Sequence, residues 1–476
     1  MAEIKIRNYP YYLLVTGLFL ALISPNALSK GMFLDGLLYA AVSANLASGI
    51  GTFWLPSLSQ TFAQEFTGHP PLALGLQSLF FELLGYGHIT EKIYSLLMFA
   101  LTGLLIVRLW RHFSGKDGWI PLFFFLLFPV AGWAATNNIL ENTLMVFTTL
   151  SVYLFVKGDE STRIVKTLYW SIAGASLAAG FLTKGFVTFF PLSFPFLYYV
   201  FLKKNSWKSF VLPTLILALI PVVIVGILYV SMPEVQYLLQ RYLEEQVAGS
   251  LAHGKTVSWR GFILARALSE SVCGGLAVIL FLWWGRKNSE RNRNGLNRRK
   301  AMFFLLFALT GILPVMISLK QSGFYILPVY PFVAMAMALF AVDFVRSLVG
   351  RAEGNRKIRQ VLTWIPASIF FLSVLSCIFF ANHYGRDKVR LQDIERIAAR
   401  MEPGDILSMH PAMWDDYSLY GYFARFRHLS LDVRKEAMHT YYIQYSHLDR
   451  EGVPQGYVPL EADTRKILIF RREARP

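Results

Sequence analysis

Charged residues are scarce in this chain of 476 residues. Lys, Arg, Asp and Glu together make up 16% of the sequence, whereas hydrophobic residues make up 55%. Soluble domains usually carry about 25% charged residues, so an ordinary soluble domain is excluded. Apolar runs of the length that crosses a bilayer, about 18 residues or more, recur along most of the chain. The composition therefore predicts a polytopic α-helical membrane protein.

Cysteine is also scarce, and two further features are missing from the sequence. The two cysteines, Cys273 and Cys377, lie inside apolar runs, which excludes a disulfide framework and a cysteine metal site. The sequence has no glycine-rich phosphate loop of the kind that binds nucleotides. It also lacks an internal repeat of the kind that many transporters contain.

The positive charge of the chain is confined to certain loops. The net charge is +16, which on its own is compatible with binding to nucleic acid. The basic residues, however, cluster in short loops between apolar runs, around 157–166, 203–208, 286–300 and 346–359. This is the positive-inside pattern of cytoplasmic loops, so no nucleic-acid partner is expected. The segments expected outside are poor in Lys and Arg: 29–69, 135–137, 183–184, 231–262 and 319–323.

Eleven apolar runs are long enough to span the membrane. They lie at about 11–28, 92–110, 119–134, 138–156, 165–182, 185–202, 209–230, 263–284, 301–318, 324–345 and 361–381. A shorter run, 70–86, is marginal for a span. The alternatives are 11 helices with 70–86 re-entrant or interfacial, or 13 if the region 70–110 crosses three times. Either number puts the tail after residue 382 on the same side as the first loop.

The sequence thus predicts two domains of different character. Residues 1–382 form the transmembrane domain, which includes a first outer loop at 29–69 and a later outer loop at 231–262. Within the first loop, Gly36–Ser48 is expected to form an amphipathic helix along the membrane surface. Residues 383–476 are polar and mix helical and strand-like periods, with a helix expected at Val389–Met401 and strands at Asp405–Met409, His428–Leu431 and Lys466–Phe470. This pattern predicts a small soluble α/β domain outside the membrane.

Polar residues near the first outer loop are candidates for chemistry. Asp35 follows the first span directly, and His69 precedes a Pro-Pro pair that can begin a helix. Glu141 lies at the edge of an apolar run, where an ionisable group is costly and usually faces a protein cavity. Lys184 lies between two apolar runs and suits an anionic group such as a phosphate. The structural alternatives are a solvated loop acid for Asp35, a capping or packing role for His69, and snorkelling to the interface for Lys184.

The remaining candidates lie in the later outer loops. They are Glu244, Glu245, His253, Lys320 and Tyr325. An exposed polar loop is the alternative interpretation for the first three. All the candidates nevertheless fall on one side of the membrane by the distribution of loop charge. Cations and acids on one face suit a negatively charged, lipid-linked substrate.

Four motifs follow one another along the chain. They are Asp35 after the first span, the corner His69-Pro-Pro-Leu72, "FLTKG" at 181–185 and "KQSGFYILPVYP" at 320–331. In this order, over about residues 10–345, the chain resembles the GT-C glycosyltransferases. The resemblance is closest to the superfamily of bacterial aminoarabinose lipid A transferases and protein O-mannosyltransferases, of the glycosyltransferase family 39 type.

The resemblance implies a fold, a donor and a set of residues. The fold is a bundle of membrane helices with surface helices in the first outer loop and a small periplasmic domain, located in the bacterial inner membrane. The donor is a polyprenyl-phosphate-linked sugar, which is transferred with inversion. Asp35 matches the catalytic aspartate of the first loop, and Lys184 matches the lysine of the "TKG" motif. His69 falls where relatives often have lysine, while Lys320 and Tyr325 match a cationic and an aromatic position.

The sequence departs from the family pattern at four places, one of which is Phe324, where the family has a histidine before the tyrosine. The usual Asp-Glu pair is Asp35-Gly36, and a Glu-Lys-Pro-Pro corner is Gly68-His69-Pro70-Pro71. The Glu-Glu-His of the later loop is Glu244-Glu245-Gln246. Since the lost Glu and His positions resemble metal ligands, no metal or other cofactor is expected.

The sequence therefore predicts a glycosyltransferase that uses a polyprenyl-phosphate carrier. Its acceptor is a lipid A, another glycan or a protein, and it works among membrane lipids at the outer face of the inner membrane. Two alternatives remain open: a lipid-linked glycan ligase or polymerase, which shares the carrier chemistry, and a lipid or sugar transporter.

Overall fold

The computed structural model describes residues 2–203, 207–252, 254–287, 295–434, 438–449 and 452–473. Helices α1 to α19 are, in chain order, Ala2–Ala27, Leu34–Ala47, Leu72–Leu84, Thr90–Phe113, Trp119–Leu126, Pro129–Thr136, Leu140–Asp159, Arg163–Lys184, Phe194–Leu197, Val211–Ser231, Pro233–Arg241, Gly249–Ala252, Phe262–Glu270, Val272–Lys287, Gly295–Ile312, Tyr330–Gly354, Arg356–Phe379, Lys388–Ala398 and Tyr417–Arg425. Strands β1 to β5 are Ile406–Met409, Ser430–Asp432, Tyr441–Tyr445, Tyr457–Pro459 and Ile467–Arg472. Short 3-10 or π segments lie at Gly185–Ser193, Tyr198–Lys203, Trp207–Phe210, Tyr242–Ala248, Leu313–Ile317, Gly323–Val329 and Pro411–Met413.

Many of these helices are long and apolar enough to cross a membrane. Within the described ranges there are seven such spans, or nine if the bent pairs α5–α6 and α13–α14 each count as one. Every predicted span coincides with a helical segment, but the predicted total of 11 or 13 is higher. The prediction counts Leu140–Asp159 as a span, which the total of seven or nine leaves out. It also counts two crossings in the helical run Arg163–Lys203, which that total counts as one span. The structure is that of a multi-pass membrane protein.

The run Arg163–Lys203 folds back on itself at Gly185. A Cβ atom on Gly180 would lie 2.1 Å from Oγ1 of Thr188, and the rings of Phe181 and Phe189 stack with centroids 5.7 Å apart. In a straight α-helix, residues eight positions apart are separated by about 12 Å. Gly185 has φ +77°, a backbone conformation that favours glycine. The two predicted segments, 165–182 and 185–202, therefore run antiparallel to each other, and Lys184 lies at the turn between them.

Contacts along the chain define two compact units, which we call the helical unit and the mixed unit. The helical unit comprises Met1–Ala27, Ser95–Thr136 and Leu140–Phe379. Its centre is α16, since 89% of the apolar window of Gly323–Ala352 is buried, against 17% for Val211–Ser231. α16 packs against α5, α14 and α15. Fully buried alanines such as Ala334 and Ala338 allow these helices to approach closely.

The mixed unit comprises Leu28–Tyr94, Asn137–Ile139 and Phe380–Pro476. Its sheet has the strand order β2-β1-β3-β5-β4, with β1 parallel to β2 and β3, and β5 antiparallel to β3 and β4. This is the small α/β domain that the sequence predicts, with α18, β1, β2 and β5 at the expected places. Residues 29–69, which the sequence predicts as the first outer loop, belong to the same unit. The boundary at residue 382 stays a prediction about which part of the chain is embedded in the membrane.

Helix α2 occupies the middle of the mixed unit. It is the helix predicted at Gly36–Ser48, but it is enclosed by α3 and α19 instead of having one exposed polar face. Gly36, Ala40, Ala41, Ser43 and Ala44 are all buried, and their small side chains permit contact on several sides. A Cβ atom on Gly421 in α19 would lie 2.9 Å from Leu37 Cγ. The helix that carries Asp35 is therefore held by the C-terminal part of the chain.

Helix α3 corresponds to the marginal run at 70–86. Its 13 residues extend about 20 Å at 1.5 Å per residue, whereas the apolar core of a bilayer is about 30 Å thick. The length of α3 therefore fits the re-entrant or interfacial alternative.

Candidate active site

Asp35 lies in the first turn of α2, in the mixed unit. Phe33 precedes the helix in an extended conformation, and its backbone N–H donates to Oδ1 of Asn137 at 2.7 Å. A carboxylate in the first turn interacts favourably with the helix dipole. The Asp35 side chain is half-buried, so it is neither a freely solvated loop acid nor a core residue.

The amide side chains of Asn137, Asn138 and Gln77 form hydrogen bonds around the start of α2. The Asn138 amide donates to the carbonyl of Gly36 at 3.0 Å, and Gln77 from α3 donates to Oδ1 of Asn138 at 2.6 Å. Gly36 is in such close contact with this turn that a Cβ atom there would lie 1.8 Å from the Asn137 carbonyl oxygen. The lack of a second acid after Asp35 thus has a steric reason.

His69 lies beside the same helix. Its ring meets that of Tyr39 edge-on, with centroids 5.9 Å apart. Tyr39 is four residues after Asp35, so the two side chains project from the same face of α2. His69 directly precedes Pro70 and Pro71, with Pro71 capping α3. The structure therefore brings His69 to within one helical turn of the position of Asp35.

Residues of the C-terminal part of the chain, after residue 380, contact the segments at both ends of α2. Before α2, Lys30 forms an ion pair of 2.7 Å with Glu395 of α18, and its backbone pairs with His383 and Gly385. After α2, the ring of His428 contacts Oδ1 of Asn45 at 2.7 Å and Oγ of Ser48 at 3.1 Å. None of these long-range contacts is visible in the local sequence pattern.

The His428 contact predicts a pH-dependent stability of the mixed unit. Burial, together with the nearby Arg425 charge, lowers the pKa of His428. The unfolded chain therefore binds a proton more readily than the folded chain, and stability is lost as the pH falls below the unfolded value of about 6.5. His428→Asn removes the titrating group, and asparagine tolerates the φ of +57° found there.

We expect the unfolding temperature of the purified protein to drop less between pH 7.5 and 5.5 in His428→Asn than in the wild type. His447→Asn is the matched control, because His447 is exposed and should leave the pH dependence unchanged. An equal drop in all three proteins would contradict the assignment.

In the helical unit, the predicted residues Glu141 and Lys184 form a buried ion pair. The distance from Lys184 Nζ to Glu141 Oε1 is 2.5 Å, and the two side chains are 9% and 1% exposed. Glu141 lies in the first turn of α7, and Lys184 ends α8 at the Gly185 turn. The lysine side chain is thus buried at an ion pair instead of snorkelling to the interface.

Two aromatic rings complete the surroundings of Lys184. Its ammonium lies 5.1 Å from the ring centroid of Tyr325 and 5.7 Å from that of Phe324. Phe324 in turn stacks on Trp133, with centroids 5.3 Å apart. Rings at such distances attract a cation, most strongly where water is excluded. The structure therefore brings together three of the predicted residues, Glu141, Lys184 and Tyr325.

Tyr242 is a neighbour of this cluster that the sequence analysis missed. Its hydroxyl donates to the Lys184 carbonyl at 3.4 Å, and it would lie 1.9 Å from a Cβ atom on Gly185. Burial raises the pKa of Tyr242 to about 12, so the hydroxyl stays a neutral donor. The tyrosine next to the noted Glu244-Glu245 pair was the available signal.

The other predicted residues, in the segments 231–262 and 319–323, are more peripheral. Glu244 and Glu245 are exposed, and Glu245 pairs with Arg241 at 2.6 Å. Lys320 donates to Gln246 at 3.3 Å. His253 lies outside the described residues. Gln321, which the sequence analysis quoted but did not select, is buried and joins Ile263, Arg260 and Ser318 through its side-chain amide.

Across the described parts of the chain, no group of three or more His, Cys, Asp or Glu side chains is arranged to hold a metal ion. The expectation that no metal is used stays a prediction.

The Glu141–Lys184 pair predicts a large effect on stability. Lys184→Met leaves a buried carboxylate without its cation, which typically costs about 3–5 kcal/mol. The double variant Glu141→Gln/Lys184→Met removes both charges, and we expect it to recover most of that loss. Thermal unfolding in detergent measures both effects. Lys157→Met is the control, because the Lys157–Glu160 pair is exposed and such pairs contribute less than about 1 kcal/mol.

The fold is similar to that of two solved structures of ArnT from Cupriavidus metallidurans. The apo structure has a TM-score of 0.66 at 16% identity, covering 96% of this chain and 97% of that chain. The structure bound to undecaprenyl phosphate has a TM-score of 0.61 at 14% identity, with the same coverage. The chain is therefore an integral membrane protein with the GT-C fold.

The sequence itself matches a family over part of its length. Residues 68–229 match the family described as dolichyl-phosphate-mannose-protein mannosyltransferase. Comparison with curated protein sequences found no match. The family match at residues 68–229 and the shared fold confirm the resemblance to GT-C glycosyltransferases drawn from the four motifs.

Proposed function

We propose that this protein transfers a sugar from a polyprenyl-phosphate carrier to a lipid A, glycan or protein acceptor at the outer face of the bacterial inner membrane. The proposal is supported by the GT-C fold and by the family match at residues 68–229. A structure of similar fold is bound to undecaprenyl phosphate, a carrier of the expected chemical class.

The observation that carries the proposal is the environment of Lys184. A lysine buried at a tight turn, with one carboxylate and two aromatic rings around it, is a cation fixed in place away from bulk water. Such a cation stabilises the negative charge that develops on a leaving phosphate. Glu141 holds the ammonium in position before the donor arrives, and the donor phosphate then shares it.

Asp35 is the residue we assign to the acceptor side. An acceptor hydroxyl oxygen forms a new bond to the anomeric carbon of the sugar, and the bond from that carbon to the phosphate oxygen breaks. The electron pair of the broken bond stays on the phosphate, and the hydroxyl proton passes to the Asp35 carboxylate, which acts as general base. A single displacement of this kind inverts the anomeric centre. If the acceptor is a phosphate, no base is needed and Asp35 positions the acceptor.

The remaining residues have supporting roles in the proposal. Tyr325 borders Lys184 and contacts the donor, and His69 lies on the Asp35 side of α2. Glu244, Glu245 and His253 of the later loop 231–262, and Lys320 of the segment 319–323, contact donor or acceptor groups. No metal or other cofactor takes part.

The experiment is mass spectrometry of envelope lipids, glycans and glycoproteins from cells with and without the protein. We expect one class of glycoconjugate to lose a mass equal to one sugar, and the polyprenyl-phosphate-linked donor of that sugar to accumulate. The identity of the modified molecule then separates transfer to a simple acceptor from glycan ligation or polymerisation. Unchanged glycoconjugates and unchanged carrier-linked sugars would contradict the proposal.

A further inference from the structure

A cavity of about 390 Å³ lies in the helical unit, well away in sequence from Glu141 and Lys184. It is lined by Asn8, Lys116, Asp117, Trp119, Ile120, Val345, Arg346 and Val349. The lining comes from the start of α1, the loop between α4 and α5, the start of α5 and the later turns of α16.

This cavity lies at the ends of membrane spans. Asn8 begins the span Asn8–Ala27, and Arg346 is near the end of the span Gly323–Ala352. Trp119 is the first residue of α5. The loops at 108–116 and 346–359 are both rich in Lys and Arg, as the positive-inside pattern expects of cytoplasmic loops. The positive-inside pattern therefore puts the cavity at the cytoplasmic interface of the bilayer.

Cations outnumber acids around the cavity. Arg346 donates to Asp117 at 2.8 Å and to the Ser114 carbonyl at 2.5 Å. Lys300 donates to the Phe113 carbonyl at 2.5 Å. The positive charges of Lys300 and Arg346 are close enough to repel each other. Among the residues that line the cavity, the exposed Lys116 and the half-buried Arg346 are the cations and Asp117 is the acid.

Capping of α4 explains only part of this arrangement. Lys300 and Arg346 donate to carbonyls at the C-terminal end of α4, a favourable place for cations. That role does not require Lys116, and it does not require an open cavity beside the guanidinium group. Excess positive charge next to open space is instead the feature of a site for an anionic group.

The other wall of the cavity is apolar. Ile120, Val345 and Val349 line it, and Trp119 stacks on Tyr11 with centroids 4.8 Å apart. Tryptophan and tyrosine are common at the level of lipid headgroups. A free inorganic phosphate would need only the cations, whereas a phospholipid also fills the apolar side with the start of an acyl chain.

We propose that this cavity binds an acidic phospholipid of the cytoplasmic leaflet, with the headgroup phosphate at Lys116 and Arg346 and the chain along Val345 and Val349. Basic pockets between helices on the cytoplasmic side are a known way to recognise such headgroups. The site does not depend on the proposed sugar transfer.

The experiment is native mass spectrometry of the full-length protein in detergent, titrated with phosphatidylglycerol or with phosphatidylcholine of the same acyl chains. We expect phosphatidylglycerol to bind about tenfold more tightly. The double variant Lys116→Gln/Arg346→Gln should bind both lipids equally. Lys357→Gln is the control, since Lys357 is another exposed lysine of the basic loops and should leave the preference unchanged.

Two further variants keep the test independent of the capping role of Arg346. Lys116→Gln alone removes an exposed charge, and Val349→Trp fills the apolar side of the cavity. We expect each to lower phosphatidylglycerol binding at least about threefold. Equal binding of the two lipids, an equal loss in Lys357→Gln, or full competition by millimolar inorganic phosphate would each overturn the proposal. The last result would indicate a site for a free anion.

Discussion

Asp35→Asn is expected to lower the rate of sugar transfer by about 10²–10⁴-fold, the usual contribution of a general base. The amide has nearly the same shape as the carboxylate but does not accept a proton from an acceptor hydroxyl. We expect folding to change little, because a first-turn acid contributes only about 0.3–1 kcal/mol through the helix dipole. The measurement is the initial rate of transfer by purified protein, normalised to the amount of folded protein.

Two comparisons make the Asp35 result specific. Glu82→Gln is the matched control, since Glu82 is an exposed acid on α3 of the same unit and its loss should leave the rate unchanged. Asp35→Glu keeps the charge but lengthens the side chain, and we expect an intermediate rate. Wild-type transfer by a well-expressed Asp35→Asn variant would refute the assignment.

Gly36→Ala is expected to destabilise the mixed unit strongly, even though it adds only one methyl group. That methyl would lie 1.8 Å from the Asn137 carbonyl oxygen and 2.9 Å from its carbonyl carbon. Both atoms belong to the backbone, so α2 or the Asn137–Asn138 turn must move. Overpacking usually costs about 1–3 kcal/mol, and we expect a loss at or above the upper end. Gly36→Glu, which restores the acid pair of relatives, should be worse.

The thermal unfolding of the purified protein measures this effect. Gly87→Ala is the control, because a Cβ atom on Gly87 has nothing within 4 Å in the described structure. We expect Gly87→Ala to unfold at the wild-type temperature. If Gly36→Ala behaved in the same way, the close approach of α2 to the Asn137–Asn138 turn would not exist in solution.

The membrane helices were predictable because hydropathy is a local property. Each long apolar run has a lower free energy as a helix in the bilayer than exposed to water, because a helix satisfies its own backbone hydrogen bonds. This holds whatever the neighbouring segments are. The C-terminal domain was only partly predictable. β1, β2 and β5 fall on strand-like runs of the sequence, whereas β4 (Tyr457–Pro459) was missed. The strand β3 (Tyr441–Tyr445) and the helix α19 (Tyr417–Arg425) were missed as well. Both are rich in tyrosine, and their state depends on what packs against the aromatic rings.

The candidate site was predicted as a set of residues but not as an arrangement. The sequence selected Glu141, Lys184 and Tyr325 separately, from their places at the ends of apolar runs. Their contacts join residues more than 40 positions apart, and no local pattern encodes such a pairing. Tyr242 was missed for the same reason, because its place near Glu244 and Glu245 does not reveal its contact with the Lys184–Gly185 turn.

By itself, the sequence determined that this is a membrane protein, which loops are basic, and which polar residues stand out against the apolar background. Those properties follow from composition and local order along the chain. Only the tertiary structure decided that Lys184 is paired with Glu141, that α2 is enclosed by α3 and α19, and that Gly36 leaves no room for a second acid. These outcomes depend on the distances between atoms far apart in sequence, which packing alone fixes.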